Sequence, residues 1–123
     1  MSSNIKVLYV DDEPINLMLF KANFKKKFDI ITAESGSEGL ILLKNNPDTK
    51  VVISDMKMPG MSGIEFIRIA KKDYPNVSFY ILTGFDITDE ISNALEEKLI
   101  HKYFQKPFNI HEIEHAIKNE IKQ

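Results

Sequence analysis

A chain of 123 residues is long enough for one core to bury roughly two-thirds of its unfolded surface, so folding requires neither a metal nor a covalent staple. Cysteine is absent, which excludes disulfides, thiolate zinc sites and a cysteine nucleophile and fits a reducing compartment, with the cytoplasm as the expected location. Sixteen Lys and Arg stand against 18 Asp and Glu, so the net charge of −2 supplies no general attraction to nucleic acid, and no apolar run has the length of a membrane span or the pattern of a secretion signal.

The first apolar run, Ile5-Lys6-Val7-Leu8-Tyr9-Val10, reads as a strand and ends on acid, Asp11-Asp12-Glu13. Pro14 suits the first turn of a helix, where its missing N–H is no loss. Ile15, Met18, Leu19 and Ala22 then recur at helical spacing, which predicts a helix to about Lys27 with that face on a sheet. Lys25, Lys26 and Lys27 read as the solvated cationic end of that helix. Asp29 to Ala33 is a second strand. Ser35-Gly36-Ser37-Glu38 has the spacing of a capping box for a second helix that buries Leu40 and Leu43 and stops at Asn45-Asn46-Pro47-Asp48.

The third strand, Val51-Val52-Ile53-Ser54-Asp55, again delivers a carboxylate to its end, and Met56-Lys57-Met58-Pro59-Gly60 turns the chain. A run so apolar predicts a strand buried on both faces, although Asp is also common simply where a strand gives way to a turn. Ile64, Ile67 and Ala70 space a third helix ending before Tyr74-Pro75-Asn76. Val77 to Leu82 is a fourth strand that ends on Thr83-Gly84. Thr88 or Asp89 caps a fourth helix carrying Ile91, Ala94 and Leu95. A fifth strand spans His101 to Gln105 and leads into Lys106-Pro107-Phe108. Asn109 with Glu112 caps a last helix bearing Ile110, Ile113, Ala116 and Ile117. His111 and His115 lie one turn apart on it, and without a third ligand they read as exposed side chains rather than a metal pair.

Five strands alternating with five helices predict an α/β fold, a doubly wound parallel sheet with helices on both faces and right-handed crossovers. The order 2-1-3-4-5 is a common solution, and its switch point between the first and third strands places Asp11, Asp12 and Asp55 together. Carboxylates about 5 Å apart repel by about 3 kcal/mol per pair at an effective dielectric near 20, so a positive partner is required. Oxygen donors without His or Cys suit a hard cation, and a few carboxylates completed by water suit Mg²⁺. Thr83 and Lys106 end the fourth and fifth strands on the same edge, adding a hydroxyl and an ammonium. Such a set can neutralise and orient a phosphoryl group.

Asp11-Asp12, then Asp55 with Met58-Pro59-Gly60, then Thr83-Gly84 and Lys106-Pro107-Phe108 together resemble the receiver domain of two-component response regulators, in a match running from about Ile5 to Ile121. The resemblance implies one flavodoxin-like (βα)5 receiver domain over residues 1–123. It implies that Asp55 accepts a phosphoryl group, in a Mg²⁺-dependent reaction, from a sensor histidine kinase or a histidine phosphotransfer protein. Asp12 and Asp55 would bind the metal directly, Asp11 through water, and Lys57 by its backbone carbonyl, while Lys106 and Thr83 would hold the phosphoryl oxygens. It further implies a switch in which Thr83 moves onto the phosphate and Tyr103 turns inward, read by a protein partner on the face of the fourth helix, fifth strand and fifth helix. A cis Lys106-Pro107 bond belongs to the same pattern. A homodimer dependent on phosphorylation is left open, and neither direct nucleic-acid binding nor a membrane is expected.

The chain departs from the pattern in places. The two positions that tune phosphate lifetime are Lys57 and Phe85, and the bulk of Phe85 is expected to shield the acyl phosphate from water. Glu96-Glu97-Lys98-Leu99-Ile100-His101 lacks the small-residue turn usual before the fifth strand, which leaves its local conformation in question. Three rival readings fit the chain less well. A phosphatase with an aspartyl nucleophile, as in the haloacid dehalogenase family, would carry an acid where Lys57 stands, and there is no cap domain. A flavin-binding domain would need a phosphate-cradling loop where Asp11-Asp12-Glu13-Pro14 repels phosphate. A receiver-like binding module independent of phosphorylation would have no use for all five key side chains. The expected product is therefore a signalling domain and not an enzyme acting on a separate substrate.

Overall fold

The computed structural model describes residues 5–84 and 87–121. Strand and helix alternate along the chain: β1 (Lys6–Val10), α1 (Pro14–Phe24), β2 (Asp29–Ala33), α2 (Gly36–Asn45), β3 (Val51–Asp55), α3 (Gly63–Asp73), β4 (Ser78–Thr83), α4 (Asp89–Glu96), β5 (Lys102–Gln105) and α5 (Ile110–Ile121). The strands form one parallel sheet in the order β2-β1-β3-β4-β5, as expected for a doubly wound fold. Central strands β3 and β4 are buried at every residue, which is why they read as unbroken apolar runs.

The period-two alternation of the strands sorts their side chains into two cores. Leu8, Val10, Val52, Phe79 and Ile81 face α2, α3 and α4, where they meet Leu43, Ile64, Phe66, Ile67, Ile91 and Ala94. Val7, Tyr9, Val51, Ile53, Leu82 and Phe104 face α1 and α5, where they meet Leu17, Phe20, Phe24, Ile113 and Ile117. Leu40, Leu95, Ile110 and Ala116 are half-buried at the margins.

The first helix corrects the sequence reading. Ile15, Met18 and Leu19 are 58%, 61% and 48% exposed, and Ala22 is exposed too, whereas Leu17, Phe20 and Phe24 enter the core. Both faces of α1 carry apolar residues at helical spacing, so periodicity alone could not orient it. The aromatic face goes inward because Phe20 stacks on Tyr9 with centroids 4.1 Å apart and also meets Phe24 and Phe108. The helix also ends at Phe24, short of Lys27. Lys27 and Phe28 both donate backbone N–H groups to the Phe24 carbonyl in a turn that returns Phe28 to the core.

Caps follow the sequence closely. Ser35, Thr88 and Asn109 each accept the backbone N–H three residues on, and Ser62 forms a complete capping box with Glu65. At α2 the Glu38 side chain accepts instead from Glu34 N. The segment before β5 resolves its missing small residue by placing Lys98 at φ +61°. Lys98 N donates to Leu95 O at 3.0 Å and Leu99 N to Ala94 O at 2.9 Å, the paired bonds of a Schellman ending with Leu99 buried behind it. Lys106-Pro107 is cis.

Candidate functional site

Val10 lies beside Ser54 in the β1/β3 register and Asp55 beside Leu82 in β3/β4, so the residues that follow these strands emerge on one edge of the sheet. Asp11, Asp12 and Asp55 meet there, each presenting a carboxylate oxygen within 4.8 Å of the others. Asp11 is fully buried, Asp55 8% exposed and Asp12 half-buried. Lys106, at the end of β5, closes the group: its Nζ lies 3.2 Å from Asp55 Oδ1 and 3.4 Å from Asp11 Oδ2. The predicted acid and lysine residues are therefore in one place.

Asp55 is held from its own backbone. Met56 N donates to Oδ1 at 3.0 Å, and the first residue of α3 packs against the Asp55 carbonyl so closely that a Cβ on Gly63 would collide with it. The loop between them turns at Gly60, whose φ is +81°. Burial, reinforced by Asp11, holds the Asp55 carboxyl above the usual range although Lys106 and Met56 N pull it down. For Lys106, burial opposes the charge, but Asp55 and Asp11 outweigh it and raise the ammonium above its ordinary value.

Thr83 ends β4 at 1% exposure and borders an open cleft of about 830 Å³ that Met56, Met58, Ser62 and Thr88 also line. Tyr103 pairs with Ile81 and packs half-buried against the apolar cluster around α3 and α4. Lys57 is exposed at the mouth of the cleft, while Phe85 lies outside the described residues. His111 and His115 are exposed on α5, and His115 Nε2 lies 2.9 Å from Asn119 Nδ2.

Two contributors escaped the sequence reading. Tyr9 OH donates to Asp11 Oδ2 at 2.7 Å and Asn16 Nδ2 to the same oxygen at 3.2 Å. The signal for Tyr9 was present, since a residue two before Asp11 on a strand shares its face. Asn16, five residues on and in the first turn of α1, becomes visible only once the helix is oriented.

The donor set around the three aspartates is all oxygen, which fits a hard divalent cation such as Mg²⁺. When bound, such an ion supplies charge neutralisation for clustered carboxylates and for an incoming phosphoryl group.

Comparison with known proteins agrees with this geometry. The response regulator receiver domain family matches residues 7–118. Sporulation initiation phosphotransferase F of Bacillus subtilis is 36% identical over 117 residues, covering 94% of this chain and 92% of that protein. The hydrogenase transcriptional regulatory protein HoxA of Cupriavidus necator is 28% identical over 102 residues, and there the chain spans only 21% of the relative's length. A response regulator receiver domain structure from Clostridium thermocellum superimposes with a TM-score of 0.85 at 34% identity, covering 96% of this chain and 94% of that one. With its 2-1-3-4-5 sheet and an acid and lysine cluster on one edge, the chain belongs to the response regulator receiver domain family, the phosphoacceptor domains of two-component signalling.

Proposed function

We propose that Asp55 is the phosphoryl acceptor. The observation that carries this reading is the Lys106 ammonium bridging Asp55 and Asp11 at 3.2 and 3.4 Å on an otherwise acidic edge. A carboxylate oxygen of Asp55 attacks the phosphorus of a phosphohistidine; the new P–O bond forms as the P–N bond breaks, and the imidazole leaves with the electron pair and takes a proton. Lys106 offsets the charge brought onto the edge and would donate to a phosphoryl oxygen, and the hydroxyl of Thr83 would join it after moving onto the phosphate. Asp12 and Asp55 would hold Mg²⁺ directly, Asp11 through water and Lys57 by its carbonyl; the convergent carboxylate oxygens of Asp11, Asp12 and Asp55 support a cation there.

The donor is a sensor histidine kinase or histidine phosphotransfer protein. Ile15, Met18 and Leu19, exposed on the helix that follows Asp11 and Asp12, offer such a protein an apolar surface. Thr83 and Tyr103 form the switch, Lys57 and Phe85 set phosphate lifetime, and a downstream protein reads the α4–β5–α5 face, with a phosphorylation-dependent homodimer as one output. Residues 1–123 act as one receiver domain, a cytoplasmic signalling module and not an enzyme with its own substrate. No helix among the described residues is long and apolar enough to cross a membrane.

Incubation with acetyl phosphate and Mg²⁺ tests the central claim: wild-type protein gains one phosphoryl group by intact mass, and Asp55→Asn gains none. Labelling that persists in Asp55→Asn would sink the assignment.

A further inference from the structure

The buried phenol of Tyr9 is not accounted for by the reaction just described. It is 1% exposed, and its hydroxyl reaches Asp11 Oδ2 at 2.7 Å. Its ring cannot readily tilt away, because it is stacked on Phe20 at an interplanar angle of 12°, and Phe20 is itself braced by Phe24 and Phe108 at centroid distances of 4.6 and 5.6 Å. An apolar residue would fill the same core position without a donor; the phenol also supplies one to the fully buried Asp11 carboxylate.

The donors around Asp11 divide its two oxygens. Oδ2 receives Tyr9 OH, Asn16 Nδ2 at 3.2 Å and Lys106 Nζ at 3.4 Å, while Oδ1 receives Glu13 N at 3.0 Å. A carboxylate oxygen has two lone-pair sites. Oδ2 is therefore fully engaged by the protein, and Oδ1 retains one site. Two of the three donors on Oδ2, Tyr9 and Asn16, are neutral, so they fix the carboxylate without cancelling the negative charge that attracts a cation.

We infer that Tyr9 is a positioning residue of the acid site: its hydroxyl pins Asp11 Oδ2 to the protein and so turns Oδ1 toward the divalent cation. Without the hydroxyl, Oδ2 keeps only Asn16 and the longer contact to Lys106, and the carboxylate rotates toward the lysine and away from the cation. The inference rests on the reading of Asp11, Asp12 and Asp55 as a cation site, but it does not depend on phosphoryl transfer.

Titrating the metal-free protein with Mn²⁺ and following free Mn²⁺ by electron paramagnetic resonance tests it without any reaction taking place. Tyr9→Phe retains the ring stack and loses the donor, and its Mn²⁺ affinity is expected to fall about tenfold, the scale on which residues that orient metal ligands act. In an Asp11→Asn background the same substitution is expected to change nothing further, because Tyr9 acts through that carboxylate. Affinity of Tyr9→Phe within twofold of wild type overturns the inference, and so does an equal loss in both backgrounds, which would mark a general packing effect. Near-ultraviolet circular dichroism checks the fold. If Tyr9→Phe does not fold, Asn16→Ala removes the other neutral donor from the same oxygen: weaker binding supports the inference and unchanged binding overturns it. Failure of wild-type protein to bind Mn²⁺ would instead defeat the cation reading itself.

Discussion

Replacing Asp55 by Asn removes one of three carboxylates crowded at the sheet edge, and in the absence of a divalent cation it should stabilise the protein. With oxygens within 4.8 Å, each like-charged pair is unfavourable by about 3.5 kcal/mol at an effective dielectric near 20, and Asp55 takes part in two such pairs. The Lys106 ammonium at 3.2 Å offsets about 5 kcal/mol of this. The balance, discounted for screening of the half-exposed Asp12, is a relief of about 1–2 kcal/mol in the variant, while Lys106 keeps Asp11 as its partner. For a chain of this length that raises the melting temperature by roughly 3–8 °C. The pH dependence has a definite sign. Because the Asp55 carboxyl is raised in the folded state, the native protein holds its proton to higher pH than the unfolded chain does. Wild-type stability therefore declines as pH rises from the ordinary carboxylate range through the raised value, and Asp55→Asn escapes that decline. Melting both proteins in EDTA from pH 4 to pH 8 should show the advantage of the variant growing with pH, and added Mg²⁺ should then favour wild type through binding to the native state. A variant that melts at or below wild type in EDTA at pH 7 would refute the view that carboxylate crowding dominates the site.

Lys98→Gly should stabilise the protein by about 0.5–1 kcal/mol in urea denaturation, because Lys98 sits at φ +61° where a Cβ is strained; Lys98→Ala should bring no such gain. The corrected orientation of α1 makes neighbouring residues diverge. Leu19→Ala should change stability by no more than about 0.5 kcal/mol, whereas Phe20→Ala should lose about 3–5 kcal/mol, and the reverse order would restore the orientation expected from periodicity.

The elements, their order and the functional edge were legible in the linear chain because the signals are local or topological. Val51 to Asp55 is apolar throughout and ends in one acid, Ser35, Thr88 and Asn109 carry their caps, and the βα alternation leaves few ways to arrange five parallel strands. That arrangement is enough to bring Asp11, Asp12, Asp55 and Lys106 together, since the ends of parallel strands share one edge. The rotation of α1 was not legible: Ile15, Met18 and Leu19 repeat as regularly as Leu17, Phe20 and Phe24, and only the stack on Tyr9 and the tilted ring contacts with Phe108 select between them. Nor could spacing reveal that Lys98 would adopt a left-handed conformation, or which oxygen of Asp11 would take the Tyr9 hydroxyl and which the Glu13 N–H. Those choices depend on side-chain packing and hydrogen bonding between segments distant in the chain, which no pattern along one segment encodes.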